Sequence, residues 1–144
     1  MRHVEIVCTG NICRSPMGEV VLRAKLAAAG ILDVEVTSSG TGAWHTGDPM
    51  DPRAAAALQH RGYDGSAHRA RQFEQGWSAE RDLILAMDSG HLAALKRHRG
   101  DMPVQLFADL DVPDPYFHDA AFDDVLDQIE KAADVWVGRL RSTP

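Results

Sequence analysis

Residues 83–87, Leu-Ile-Leu-Ala-Met, run apolar without a break between Asp82 and Asp88. A strand with one wet face alternates, whereas a short continuous run of this kind marks a strand covered on both faces. Such a strand belongs in a mainly parallel sheet between helices, and the chain supplies the remaining pieces in alternation. Residues 3–8 (HVEIVC) and 34–38 (VEVTS) carry branched strand formers, and 104–107 (VQLF) is a weaker strand candidate. Ser15-Pro16 is expected to open a helix, because serine caps free amides and proline suits the first helical position. That helix carries Val20, Val21, Leu22 and Leu26 and stops at Gly30. Asp51-Pro52 repeats the opening for an alanine-rich helix through Leu58 to Gly62. Asp88 or Ser89 caps a third helix, with Leu92 and Leu95, that ends near Gly100. Beyond an acidic loop from Asp109 to Asp119, the apolar residues Phe122, Val125, Leu126, Ile129, Ala133, Trp136 and Leu140 keep helical spacing. The expectation is one α/β domain over residues 1–144. It would hold a four-stranded, mainly parallel sheet with helices on both faces, and ligands would gather at the carboxyl ends of the strands.

Composition narrows the function. Fifteen Lys and Arg against 21 Asp and Glu give a net charge of −6, a poor basis for binding nucleic acid, which needs a basic footprint. No stretch reaches the 18 or more apolar residues of a membrane span. Met1-Arg2-His3 leads straight into a strand with no export signal, so the protein is expected to be cytoplasmic, with neither nucleic acid nor membrane as a partner. Two cysteines, Cys8 and Cys13, build no disulfide framework and read as reduced thiols available for metal binding or chemistry.

The first strand ends at Cys8, and Cys8-Thr9-Gly10-Asn11-Ile12-Cys13-Arg14-Ser15 connects it to a helix start. A loop wrapped at a helix amino terminus offers several N–H groups to one anion. Gly10 and Asn11 tolerate the left-handed backbone that lets successive amides converge. Arg14 adds a planar fork matched to two phosphoryl oxygens. A cysteine at the lip of this cradle feels the helix dipole, the amides and the arginine, and all three favour the thiolate. The residues thus describe a nucleophile aimed at a bound tetrahedral oxyanion, against the plain alternative of a buried cysteine beside an unrelated arginine. Zinc is a weak alternative, since C-x4-C lacks a second pair and Arg14 would repel the cation.

A leaving oxygen needs a proton from the far side of the phosphorus. Asp114, in Val-Pro-Asp-Pro-Tyr-Phe (112–117), is the candidate, with Tyr116 and Phe117 able to wall a slot. Asp-Pro is also simply a turn signal, and Asp109 and Asp111 are the fallback acids.

The string VCTGNICRSPMGE resembles the phosphate-binding loop of low-molecular-weight protein tyrosine phosphatases, bacterial type, and the likeness runs in order from Val4 to the last helix. The resemblance implies a phosphotyrosine phosphatase acting through a cysteinyl-phosphate, with Cys8 as nucleophile, Arg14 holding phosphate and Asp114 as acid. It implies that Ser15 stabilises the thiolate and that Asn11 keeps the strained loop. Ser39, in Ser-Ser-Gly-Thr, is expected to support that asparagine. Trp44 of Trp44-His45 would flank the cleft, His68 to Gln72 would be structural, and Asp88 would be a cap and anchor. Cys13 matches a position whose thiol can form a reversible disulfide with the nucleophile, a protection against over-oxidation. Expected partners are a phosphotyrosine protein or small aryl phosphate, with inorganic phosphate as product and inhibitor, and a monomer needs neither cofactor nor metal. Departures from the pattern are Phe117 in place of a second tyrosine, a short following loop, and a compact interval between Asp88 and Asp114. Arsenate reduction on the same scaffold is the rival, but no cysteine follows Cys13 to carry a disulfide outward. A binding module without turnover would most naturally have lost Cys8 or Asp114.

Overall fold

β1 (Arg2–Cys8) lies inside the sheet with β2 (Val34–Gly40) on one side and β3 (Leu83–Ala86) on the other, and β4 (Val104–Leu106) pairs with β3. All three pairings are parallel. The structure, a computed structural model, describes residues 1–98 and 104–142. Between the strands run α1 (Arg14–Ala28), α2 (Pro52–His60) and α3 (Ser89–His98), and α4 (Ala121–Ser142) closes the chain.

The period of two along β1 sorts its side chains. Val4, Ile6 and Cys8 join Leu85 and Met87 in the larger core with α1, α2 and α4. Val7 joins Ile84 and Ala86 on the opposite face, under Leu95 of α3. Leu83–Ala86 is therefore sandwiched between helices, the reason its sequence shows no alternation. Glu5 also points to the α3 face and is fully buried, where Arg81 Nε at 2.9 Å donates to its carboxylate.

Helix ends follow local chemistry. Gly30 takes φ +76°, and the Gly30 and Ile31 amides close back on the carbonyls of Ala27 and Leu26 at 3.0 and 2.9 Å. Asp51 caps α2 by accepting from Arg53 N at 2.8 Å, with Pro52 leading the helix. The expected cap at Ser15 is corrected: α1 begins at Arg14 behind Cys13, which gives no side-chain cap bond. Ser15 is inside the first turn and its hydroxyl is drawn into the preceding loop. Pro16 is still tolerated, because the amides of the first turn have no intrahelical partner to lose. β3 and β4 each stop one residue short of the expected ends, and the expected end of α3 near Gly100 lies outside the described residues.

The outward edge of β2 is occupied. Arg23 donates to the Val36 carbonyl at 2.8 Å and Arg71 Nε to the Ser38 carbonyl at 3.1 Å. Gly40 exchanges bonds with the Arg71 carbonyl and the Phe73 amide. Among the described residues, no helix is long and apolar enough to cross a membrane.

Candidate active site

The carboxyl ends of β1 and β2 meet the amino end of α1, and the eight residues from Cys8 to Ser15 curl between them. Asn11 alone among the described non-glycine residues has positive φ, at 57°. It is fully buried, and every polar group of its side chain is used. Its amide donates to Ser15 Oγ at 2.8 Å and Ser38 Oγ at 2.9 Å, while its Oδ1 accepts from Arg71 N at 3.0 Å. Its main-chain carbonyl meets His68 Nε2 at 2.7 Å. Gly10, expected to share the left-handed conformation, does not. Its lack of a side chain matters for space, since a Cβ there would stand 3.0 Å from His45 Cδ2. Gly40 backs the loop more tightly still, for a Cβ would lie 2.5 Å from the Thr9 carbonyl oxygen.

The serine assignment needs correcting. The hydroxyl that receives Asn11 is Ser38's, whereas Ser39 Oγ is buried with no hydrogen-bond partner among the described residues. The alternation of β2 turns neighbouring side chains to opposite faces, so only one of the two serines can face the loop. Ser39 contributes instead its carbonyl, which accepts from Ser15 Oγ at 3.2 Å. Ser38 Oγ in turn donates a hydrogen bond to Glu19 at 2.7 Å.

Cys8 Sγ lies 2.9 Å from Ser15 Oγ, at the floor of a cleft of about 200 Å³. Thr9, Gly10, Ile12, Cys13 and Arg14 form its base, and Trp44, His45, Asp114, Tyr116 and Phe117 its walls. Trp44 and Phe117 are largely exposed, and the Tyr116 and Phe117 rings meet edge to face at 5.1 Å. A larger groove of about 400 Å³ lies along α4, and neither cysteine lines it, so volume does not locate the thiol chemistry.

Arg14 is nearly buried and held from behind. Its NH1 donates to Asp88 Oδ2 at 2.8 Å and to the Val112 carbonyl at 2.9 Å. Its NH2 faces Asp114 Oδ2 at 3.7 Å across the mouth of the loop. Asp88 also caps α3 through His91 N at 2.9 Å. Burial pushes its carboxyl up, but the His91 amide and the Arg14 guanidinium outweigh that and hold it below the usual range. His91 Nε2 closes the ring on Thr9 Oγ1 at 2.7 Å. Of the fallback acids, Asp111 is committed elsewhere, since its Oδ1 takes both the amide and the hydroxyl of Ser89, at 3.0 and 2.7 Å. Cys13 is a buried free thiol, and burial, with Asp51 and Cys8 beside it, pushes its ionisation far upward.

Several participants had no sequence signal strong enough to single them out by role. His68 reads only as part of a structural segment, and nothing in the sequence signals its bond to the Asn11 carbonyl. Ser38 stood one residue from the favoured serine. His91 and Arg53 follow the cap signals at Asp88 and Asp51, and nothing in their spacing reports that those helices start beside the cleft.

Residues 3–143 match the family model described as low molecular weight phosphotyrosine protein phosphatase. A low molecular weight protein-tyrosine-phosphatase of Streptomyces coelicolor is 46% identical over 91% of this chain and 88% of its own length. Low molecular weight protein-tyrosine phosphatase A of Mycobacterium tuberculosis is 42% identical over 90% of this chain and 86% of its own. Among solved structures, the protein tyrosine phosphatase of Entamoeba histolytica with Hepes in the active site superposes with a TM-score of 0.93 at 26% identity, covering 98% and 97% of the two chains. Vibrio vulnificus Wzb in complex with benzylphosphonate superposes at 0.88, with 31% identity and 96% and 98% coverage. The loop, the sheet order and these likenesses lead to one conclusion: the chain belongs to the low molecular weight phosphotyrosine protein phosphatase family.

Proposed function

We propose that this protein hydrolyses phosphotyrosine and small aryl phosphates through a phosphocysteine at Cys8. One observation carries the reading: Cys8, the loop residues after it, Arg14 and Asp114 line one cleft, with the guanidinium and the carboxylate facing each other at 3.7 Å. Arg14 and the amides of residues 9–15 bind the phosphoryl oxygens, the arginine by its fork. The Cys8 sulfur, as thiolate, attacks phosphorus in line, forming the S–P bond as the P–O bond to the tyrosine breaks. Asp114 gives its proton to the departing phenolate. It then takes a proton from water, whose oxygen attacks phosphorus, returning the sulfur and releasing inorganic phosphate. Ser15, 2.9 Å from the sulfur, stabilises its charge as its hydroxyl proton turns from the Ser39 carbonyl to the thiolate, and Asn11 and Ser38 hold the loop that presents the amides. Trp44, Tyr116 and Phe117 wall the slot for the ring. Product phosphate fits the same cradle and inhibits.

The test uses three proteins without added metal. Cys8→Ser is expected to lose turnover yet still bind inorganic phosphate, because amides and guanidinium remain. Asp114→Asn is expected to lose about 10²–10⁴-fold with phosphotyrosine and much less with an activated aryl phosphate, whose leaving group needs no proton. Substantial hydrolysis by a clean Cys8→Ser preparation sinks the covalent route. Arsenate with a small thiol is the control for the rival activity.

Cys13 supports a second role at the same loop, recovery from oxidation. Peroxide converts the Cys8 thiol to a sulfenic acid with release of water. The Cys13 thiol then displaces a second water to form the disulfide, which dithiothreitol reverses. Cys13→Ser is expected to keep activity but recover less after the same peroxide dose, and equal recovery removes the role. Two unpaired thiols fit a reducing cytoplasm, where we place the protein as a monomer.

A further inference from the structure

Arg53, in the first turn of α2, is absent from the lining of the cleft, yet it ties the cleft's two halves together. Its Nε and NH2 grip Asp51, at 3.1 Å to Oδ1 and 2.9 Å to Oδ2. Its NH1 donates to the Tyr116 carbonyl at 2.8 Å and to Asp119 Oδ1 at 2.6 Å. The guanidinium carbon lies 5.3 Å from the centre of the Tyr116 ring and 4.7 Å from that of Phe122. On the other side, the Asp51 amide donates to the Ile12 carbonyl at 3.0 Å, in the middle of the nucleophile loop. On the near side, the Tyr116 amide donates to Asp114 Oδ1 at 3.1 Å. A continuous path therefore runs from Ile12 through Asp51, Arg53 and Tyr116 to the Asp114 carboxylate.

We infer that Arg53 is the positioning residue that sets where the Asp114 carboxylate stands over the Cys8 loop. The inference rests on the general-acid reading of Asp114 given above. Residues 114–119 are exposed apart from Pro115, so burial fixes little of their geometry. Among the described residues, their hydrogen bonds to anything beyond the adjacent Ala121 are those of Arg53. Its charge is offset by Asp51 and Asp119, so it acts on the acid through geometry more than through its field. Its three nitrogens divide between two ends: Nε and NH2 hold the Asp51 cap, and NH1 holds the Tyr116 carbonyl and the Asp119 carboxylate. A lysine ammonium has the charge without that planar spread.

Misplacing a catalytic group by an ångström can cost about 10²-fold, within the range that general-acid help is worth. The experiment measures phosphorylation of Cys8 in a single turnover, for aryl phosphates graded by leaving-group pKa. It compares the parent, Arg53→Gln, Arg53→Lys, Asp114→Asn and the Arg53→Gln/Asp114→Asn double variant. Arg53→Gln is expected to lose about tenfold to 10²-fold with phenol-class leaving groups and under about threefold with nitrophenol-class ones. The dependence on leaving-group pKa steepens while inhibition by inorganic phosphate stays as in the parent. Arg53→Lys falls between, and supplies the comparison should the glutamine variant not fold. In the Asp114→Asn background, Arg53→Gln adds no further steepening. A uniform loss across the series, or an unchanged slope where Asp114→Asn steepens it, overturns the positioning role alone. An unchanged slope in Asp114→Asn itself removes the acid reading, and the positioning role falls with it.

Discussion

Replacing Asn11 tests whether a single side chain holds the loop in shape. Alanine at this position loses three hydrogen bonds, two donated to Ser15 and Ser38 and one accepted from the Arg71 amide. Each is worth about 0.5–1.5 kcal/mol net, and the stranded Arg71 amide puts its bond toward the upper end. Alanine must also hold φ 57°, which glycine does freely, at a cost of about 1–2 kcal/mol. Asn11→Ala is therefore expected to lose about 3–5 kcal/mol. In a chain of this size that is a fall in melting temperature of about 10 °C or somewhat more. Asn11→Gly loses the same hydrogen bonds without the backbone penalty, so it should be the more stable variant by about 1 kcal/mol. Urea unfolding followed by tryptophan fluorescence, with and without inorganic phosphate, measures both quantities. Phosphate should stabilise the parent by mass action and the alanine variant little, because its amides no longer converge. Alanine and glycine variants of equal stability would refute the backbone argument. Losses under about 1 kcal/mol in both would refute the hydrogen-bond argument as well.

Gly40→Ala drives a Cβ against the Thr9 carbonyl oxygen; about 1–3 kcal/mol of overpacking and a clear loss of aryl phosphatase activity are expected. Gly30→Ala, at positive φ but in open space, should cost stability alone, with kcat/KM read in the same assay. Arg14→Lys keeps the charge and loses the fork, and kcat/KM is expected to fall by about 10²–10³-fold, with weaker inhibition by phosphate. His68 and His91 are both held below the usual histidine range, chiefly by burial. The unfolded chain then binds protons that the native one refuses, so stability is full above the unfolded pKa near about 6.5 and declines as pH falls toward the folded values. Urea stability at pH 7.5 and 5.5 should differ in that direction, and His68→Gln should reduce the difference; an unchanged slope would mean that His68 titrates alike in both states.

Much of this fold was legible because local chemistry and burial agree. The apolar run at residues 83–87, the Asp51-Pro52 opening and Gly30 each carry one meaning whatever surrounds them. The loop was legible for the same reason, since Cys8 to Ser15 is contiguous. What escaped depends on contacts between distant segments. Which of Ser38 and Ser39 faces Asn11 turns on a one-residue phase of β2, and the motif carries both serines. Ser15 reads as a cap by residue type, yet its hydroxyl accepts from the Asn11 amide and faces the Cys8 sulfur. The path through Arg53 spans residues 12 to 116, a range no periodicity covers. Asp111 illustrates the reverse: in the sequence it is a spare acid near Asp114, whereas in the fold the start of α3 has claimed it.

The guarded edge of β2 bears on how copies of this protein meet. A strand at the rim of a sheet normally offers free carbonyls and amides to any passing strand, the opening step of domain swapping and fibre growth. Here Arg23 covers the Val36 carbonyl, Arg71 the Ser38 carbonyl, and residues 71–73 the Gly40 end. The opposite rim, β4, is three residues long and too short to template much. Arg71 thus guards an edge with its side chain while its amide holds Asn11, so a substitution that shifts this segment disturbs colloidal behaviour and the nucleophile loop together. Arg23→Ala unmasks the Val36 carbonyl two residues back along the strand and also frees Glu19, the acceptor of the Ser38 hydroxyl, so this guard too couples the edge to the loop.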